Sequence, residues 1–318
     1  MLKKISTILV VFIFCFETSY VYADRPGFEF LRTHVGARPA ALGGAFLTFS
    51  GDIHSVYYNP AALTTLNSRQ LTFSYLNHFL DFQSGFFAYS FTVPNFGRVG
   101  VASHFIGYGE FNRTDELGNE NGTFGAGSLL MMADYAQEIA PNFSVGIAMK
   151  YIRSTIAEFS SSALAGDFGI LFRIPGKQLS FAAGIFNLGS VTSAFIETKD
   201  DLPVSIRVGV NKSLEHLPLQ LSLEGYRYRD EDPEFVIGGE FTLTPFIFLR
   251  LSYNSIGKDQ KLNDSGDRFA GISIGTGISL DKSKAFDGMF WEKLNFDYSL
   301  SSAGDVGAQN RISIGISF

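Results

Sequence analysis

The chain has 318 residues and a formal net charge of −6, with 33 Phe, 33 Gly and only 18 % charged residues, against a soluble norm of about 25 % charged. The acidic balance argues against nucleic acid as a partner. Beyond the first 23 residues no stretch approaches the roughly 20 consecutive apolar residues that a membrane-spanning helix needs. A chain this apolar without such a helix points to an all-β, transmembrane antiparallel β-barrel, in which lipid touches every second side chain.

In chain order, Lys3 and Lys4 precede an apolar run from Ile5 to Phe16, and Val21-Tyr22-Ala23 supplies small residues before Asp24. Residues 1–23 are therefore expected to be a secretory signal peptide. The single cysteine, Cys15, falls inside it, so no disulfide or Cys-metal site is expected in the exported chain.

Residues 24–68 do not read as membrane strands. Gly36-Ala37-Arg38-Pro39-Ala40-Ala41-Leu42-Gly43-Gly44-Ala45 is small and nearly uncharged. It suits a short, tightly packed helix begun at Pro39 and ended by the glycine pair. Ser50 to Leu63 follows, with Asp52 and the Asn59-Pro60 step. Two placements are open: a hatch folded into a barrel lumen, where Arg32 and Arg38 would meet acidic groups, or a structured periplasmic arm.

From residue 69 to 318 about fourteen segments show period-2 character. The clearest are Ser144–Tyr151, Val204–Val210, Leu219–Leu223, Leu294–Leu300 and Ile312–Phe318. An even number fits a bacterial single-chain barrel. Short turns at Pro94–Gly97, Pro141-Asn142, Pro175–Lys177, Ser213–Pro218 and Thr244-Pro245 alternate with longer stretches at Tyr108–Thr123, Thr155–Ser162, Leu188–Leu202, Arg227–Pro233 and Ile256–Gly266. That parity is the short-periplasmic, long-external pattern of outer-membrane barrels, broken once at Asp281–Glu292.

Opposite the apolar faces stand Lys150, Asp167, Arg173, Arg207, Glu224, Glu240, Arg250, Asp297 and Arg311. A lipid-facing Arg at the midplane costs about 2–4 kcal/mol, so these nine are expected in the lumen. They form either a neutralised network that stiffens the barrel or a charged path. Tyr75, Tyr89, Tyr151, Tyr253 and Tyr298 read as interfacial girdle, Trp291 as an interfacial anchor, and His78 and His104 as flanking the membrane boundary. The last strand alternates Ile312, Ile314, Ile316 and Phe318. A terminal aromatic on a closing strand reads as the signal for the barrel-insertion machinery.

Ala-Ala-Leu-Gly-Gly-Ala, the acidic Asp52, and Tyr-Asn-Pro-Ala-Ala-Leu together resemble the N-terminal pattern of the PorV/PorQ outer-membrane proteins. Gly107-Tyr108-Gly109-Glu110-Phe111, Asp115 to Asn119, Gly122 to Gly127 and Phe143-Ser144-Val145-Gly146-Ile147 resemble the PorQ branch. Asn59-Pro60-Ala61 is shared more loosely with FadL-type transporters. The pattern departs at Gly51, where a second acidic residue is common. The resemblance implies a FadL-like fourteen-stranded barrel of the type IX secretion system. It would be a non-enzymatic anchor or scaffold for protein secretion and for attachment of cargo at the cell surface, with outer-membrane lipid, lipopolysaccharide and attachment-complex proteins as partners. The alternative it leaves is a FadL-like transporter of hydrophobic small molecules, which calls for an apolar lumen pocket and a lateral opening.

No catalytic, cofactor or metal site is expected. His34, His54, His78, His104 and His216 are scattered without ligand spacing. No nucleophile elbow or phosphate-cradling loop occurs in a usable context.

Overall fold

The computed structural model describes residues 27–77, 82–229, 231–260, 269–281 and 291–318. The expected leader, His78 and most of the Asp281–Glu292 stretch lie outside them.

Fourteen antiparallel strands follow one another round a closed barrel: β1 Gln70–Asn77, β2 Gln83–Val93, β3 Gly97–Thr114, β4 Glu120–Ala140, β5 Phe143–Ile156, β6 Phe159–Ile174, β7 Leu179–Ser193, β8 Ser205–Ser213, β9 Leu219–Tyr228, β10 Glu234–Thr244, β11 Ile247–Asn254, β12 Ile272–Asp281, β13 Lys293–Ser302 and β14 Ala308–Ser317. Each strand pairs with its sequence neighbours. The seam joins β1 to β14, from Gln70 opposite Ser317 to Asn77 opposite Asn310. Closure leaves no unpaired edge in the lipid zone, which is what hydrocarbon demands of a sheet.

The alternation does the sorting. In β5, Ile147, Met149 and Tyr151 are exposed on the outer face, while Ala148, Lys150 and Ile152 are buried inside. In β14, Ile312 and Ile314 face out and Arg311 and Ser313 face in. An apolar belt around a closed barrel is the architecture of an outer-membrane protein of a diderm bacterium. The short turns set the periplasmic end, together with Arg69 and Phe318, whose main chains exchange hydrogen bonds of 3.1 and 3.0 Å. Aromatic pairs ring that end: Tyr89 with Phe318, Phe96 with Tyr135 and Phe143 with Phe172.

Four sequence expectations are corrected. Tyr108–Thr123 is not a loop. β3 and β4 run 18 and 21 residues, about twice the 9–11 needed to cross, so they project as a hairpin with a short turn at Asp115–Asn119. Phe111 stacks on Phe124 there, and Arg113 reaches Glu158 at the next turn. Thr155–Ser162 likewise continues β5 and β6 around a tight turn. Above the bilayer both faces meet water, so the alternation vanishes from the sequence although the ladder continues. His104 does not flank the membrane boundary: it is 1 % exposed inside the lumen, against Phe30. Trp291 is 8 % exposed, so it is packed within the protein rather than displayed at the interface.

Residues 27–68 lie inside the barrel. A 3-10 turn at Glu29–Arg32 sits near the outer end, where Arg32 meets Glu231 beyond β9 and Gly27 abuts Asp200. A helix at Ala37–Ala41 follows, starting two residues before Pro39, then a helix at Ser55–Tyr58 and a 3-10 turn at Pro60–Thr65. The segment leaves at the periplasmic end, where Arg98 donates to the Leu66 carbonyl at 2.7 Å and to that of Ser68. Its apolar side chains, among them Phe28, Phe30, Leu31, Val56 and Leu63, form one core with Phe86, Ile106, Leu130 and Met132 of the wall.

Candidate functional site

Two halves of this internal segment dock on opposite sides of the wall, each onto glycine. On one side, Ala41 and Leu42 press against β12 and β10. A Cβ on Gly275 would come within 2.4 Å of Ala41, and one on Gly238 within 2.9 Å of the Leu42 carbonyl. Gly43 and Gly44 hold φ of 64° and 87°, the left-handed exit that glycine gives a helix C-terminus. The main chain there is pinned by Ala37 N–H to Ser313, Ser252 to the Ala41 carbonyl and Asn254 to the Gly43 carbonyl.

On the other side, Asn59 caps the 3-10 turn by accepting from Ala61 N–H at 3.0 Å, with Pro60 as the first turn residue. Its amide donates to the carbonyls of Leu47 and, in the wall, Ile170. Gly146 and Gly169 make room: a Cβ on Gly169 would sit 2.1 Å from Asn59 Oδ1, and one on Gly146 2.3 Å from Ala61 N. The Asn-Pro-Ala step is thus a docking element whose receptor is a pair of wall glycines. The signal in sequence was the glycine of Phe143-Ser144-Val145-Gly146-Ile147, which period-2 reading treats as a mere gap.

The charged core lies between these docks and the periplasmic end. Arg38 forms a two-pronged contact with Glu240, at 2.8 and 2.7 Å, and bonds Asp52 at 2.9 Å. Arg250 bonds Glu240 at 2.6 Å and Asp297 at 2.7 Å. Asp52 also accepts from His54 N–H at 2.8 Å and contacts its Nδ1 at 2.7 Å. Burial by itself would raise the Asp52 carboxyl, but His54 and then Arg38 hold it well below the usual carboxylate range. Gly51 beside it has φ 77° and open space around it.

The nine charges read from the sequence occupy inward-facing positions, but not as one network. Arg250, Glu240 and Asp297 join the Arg38 cluster. Lys150 pairs with Asp167 at 2.7 Å and donates to Asn187 Oδ1, in a bulge where Asn187 takes φ 58°. Arg207 is 3.6 Å from Glu224, which accepts from Leu47 N–H of the internal segment. Arg311 bonds the His34 carbonyl, Ser301 and Gln309. Arg173 reaches Glu138 at the periplasmic rim. His34, enclosed near Arg311 and Arg207, is pushed down to about 3, first by burial and then by those two cations. Asp134, which sequence reading passed over, is buried under Val56 and Leu63 with neither carboxylate oxygen hydrogen-bonded.

A cavity of about 1050 Å³ lies between Arg38, Asp52 and the periplasmic halves of β10–β14 and β1. Its lining mixes charged and polar groups with apolar ones such as Leu71, Phe248 and Ile278, and its roof is the Arg38–Glu240–Arg250 cluster. An apolar recess of about 740 Å³ lies instead on the lipid face, over Gly239 and between Leu221, Ile237, Leu251 and Ile274. Among the described residues, no three His, Cys, Asp or Glu side chains converge as a metal site.

No family model matches the chain, and no curated protein matches it in sequence. Solved structures do match in shape. The Ralstonia pickettii toluene transporter TbuX aligns with a TM-score of 0.56 at 11 % identity, over 89 % of this chain and 97 % of that one. A Pseudomonas aeruginosa FadL homologue aligns at 0.55 and 10 %, over 89 % and 97 %. The Pseudomonas putida toluene transporter TodX aligns at 0.55 and 11 %, over 89 % and 96 %. Identities this low speak for the fold alone. The chain is a fourteen-stranded outer-membrane β-barrel of FadL-like fold, with residues 27–68 seated in its lumen.

Proposed function

We propose that this barrel is a hatch-gated channel that passes hydrophobic small molecules across the outer membrane. One observation carries the reading. In the outer half of the lumen Phe86, Ile106, Leu130 and Ile152 face inward beside His104, and they form one core with Phe28, Phe30 and Leu31 of the internal segment. Displacing residues 27–33 would uncover an apolar chamber, the environment a hydrocarbon ligand requires. The solved proteins of this fold named above include toluene transporters, which is support by likeness of fold.

The test is uptake of labelled toluene and of a labelled long-chain fatty acid by cells that lack their own transporter. Expression of this chain is expected to raise uptake of one of them, and deletion of residues 27–33 to raise it further. Uptake equal to the empty-vector control for both would end the transport reading.

A second reading keeps the barrel as a PorV/PorQ-like anchor for secretion and surface attachment. It is favoured by the projecting β3–β4 hairpin, whose tip exposes 87 % of Leu117 beside Asp115 and Glu116. Loops and hairpins held clear of the membrane are where partner proteins dock. Crosslinking followed by mass spectrometry, with and without residues 110–122, tests it: loss of surface-protein partners from the deletion supports an anchor.

A further inference from the structure

The cavity beneath Arg38 faces the periplasm. We infer that it receives an extended, arginine-bearing polypeptide segment from the periplasm, which takes over Glu240, the wall carboxylate now holding Arg38.

Size comes first. About 1050 Å³ stands at the top of the roughly 300–1,000 Å³ range of sites for drug-sized ligands, which leaves room for a short extended chain segment. Charge comes second. Among the described residues the lining carries five carboxylates against three cationic side chains. Two of those acids, Asp281 and Glu292, stand with Lys293 at the periplasmic ends of β12 and β13.

The roof supplies the decisive observation, because it already holds the chemistry proposed. Glu240, on the wall, grips the guanidinium of Arg38, on the internal segment, with two parallel hydrogen bonds. That fork-to-fork geometry selects arginine among cations. Asp297 bonds Arg250 through Oδ1 at 2.7 Å. Hydroxyl and amide side chains, Ser68, Asn67 and Gln70 among them, line the entry and suit the peptide groups of an extended chain. An arriving guanidinium would compete with Arg38 for Glu240, and the segment on which Arg38 rides would lose its ionic tie to the wall. This occupant rests on the hatch reading, but its binding is measured without transport.

The experiment uses the full chain in lipid nanodiscs and a fluorescent eight-residue peptide of alternating Arg and Ser, read by anisotropy. Controls are the matching Glu-Ser peptide and spermine. Saturable, salt-sensitive binding of the Arg peptide is expected. Asp297→Asn and, separately, Asp281→Asn should each weaken it about tenfold. Both leave the Arg38–Glu240 contact in place, and retained barrel fold is checked by heat-dependent gel mobility. Arg38→Gln should tighten binding several-fold by vacating Glu240, a change of sign that a merely structural arginine would not produce. No binding by either the native chain or Arg38→Gln overturns the proposal. So does equal binding of the Glu peptide, or indifference to both Asp substitutions. Spermine binding as tightly as the peptide overturns the polypeptide assignment in favour of a small-cation site.

Discussion

Arg38 and Glu240 stand 202 positions apart in sequence and meet through two hydrogen bonds of 2.8 and 2.7 Å. One belongs to the internal segment and the other to the wall. Breaking a buried ion pair by removing one partner costs about 3–5 kcal/mol. Glu240 would keep Arg250, so Arg38→Gln should fall at the lower end. Hydrogen exchange across residues 37–54 is then expected to speed up about a hundredfold, which corresponds to about 2.7 kcal/mol, while strand amides hold. Unchanged protection would mean that the glycine docks alone secure the segment.

His34 makes the same segment pH-sensitive. Its pKa is pushed down to about 3, by burial first and then by Arg311 and Arg207, from an ordinary 6.5. The free imidazole therefore binds a proton more readily than the docked one, and docking loses stability as pH falls from about 6.5 toward 3. At pH 5 the loss from this group is about 2 kcal/mol. Exchange around residues 34–44, corrected for intrinsic rate, should accelerate between pH 7.5 and pH 5. His34→Gln should flatten that dependence. A native segment equally protected at both values would show that His34 accepts its proton without leaving.

Gly169 tests the second dock. A side chain there has no room, with Asn59 Oδ1 2.1 Å from the position of a Cβ. Gly169→Val should leave the barrel closed and push out the Asn59–Thr65 turn. The readout is conductance in planar bilayers, expected to rise several-fold over the native protein. A native-like conductance would place the seal elsewhere.

The strands were legible because lipid and lumen impose opposite chemistry on alternate residues, and Ser144–Tyr151 shows both sides of that rule within eight positions. The segment before β1 stood out by its small-residue composition, yet its partners were not legible. Register over two hundred residues decides that Arg38 meets Glu240 and that Asn59 meets Gly169. The Tyr108–Thr123 stretch misled for a physical reason: a hairpin in water has no lipid face, so Gly109, Asn112 and Glu120 read as loop residues. Asp134 escaped notice because a single acid in a strand carries no spacing signal, and only burial makes it unusual.

Phe318 closes the periplasmic end, exchanging main-chain hydrogen bonds with Arg69 and stacking on Tyr89 at 6.4 Å. Its removal takes away the last rung of the seam and the aromatic terminus together. The amount of protein reaching the outer membrane is expected to drop several-fold, measured by fractionation and heat-dependent gel mobility. Full recovery would show that Ile312, Ile314 and Ile316 suffice.

The seam between β1 and β14 joins the two most distant strands in the chain, and residues 27–68 precede the first of them. Every other pairing in the wall joins strands adjacent in sequence. The cylinder is therefore complete only once β14 has met β1. The segment within it must be in place before that moment or thread a finished ring afterwards. Assembly resembles building a ship around its cargo rather than loading one through a port. A chain that closed early, with residues 27–68 outside, would be kinetically trapped as an empty cylinder, held by the same seam that secures the native form.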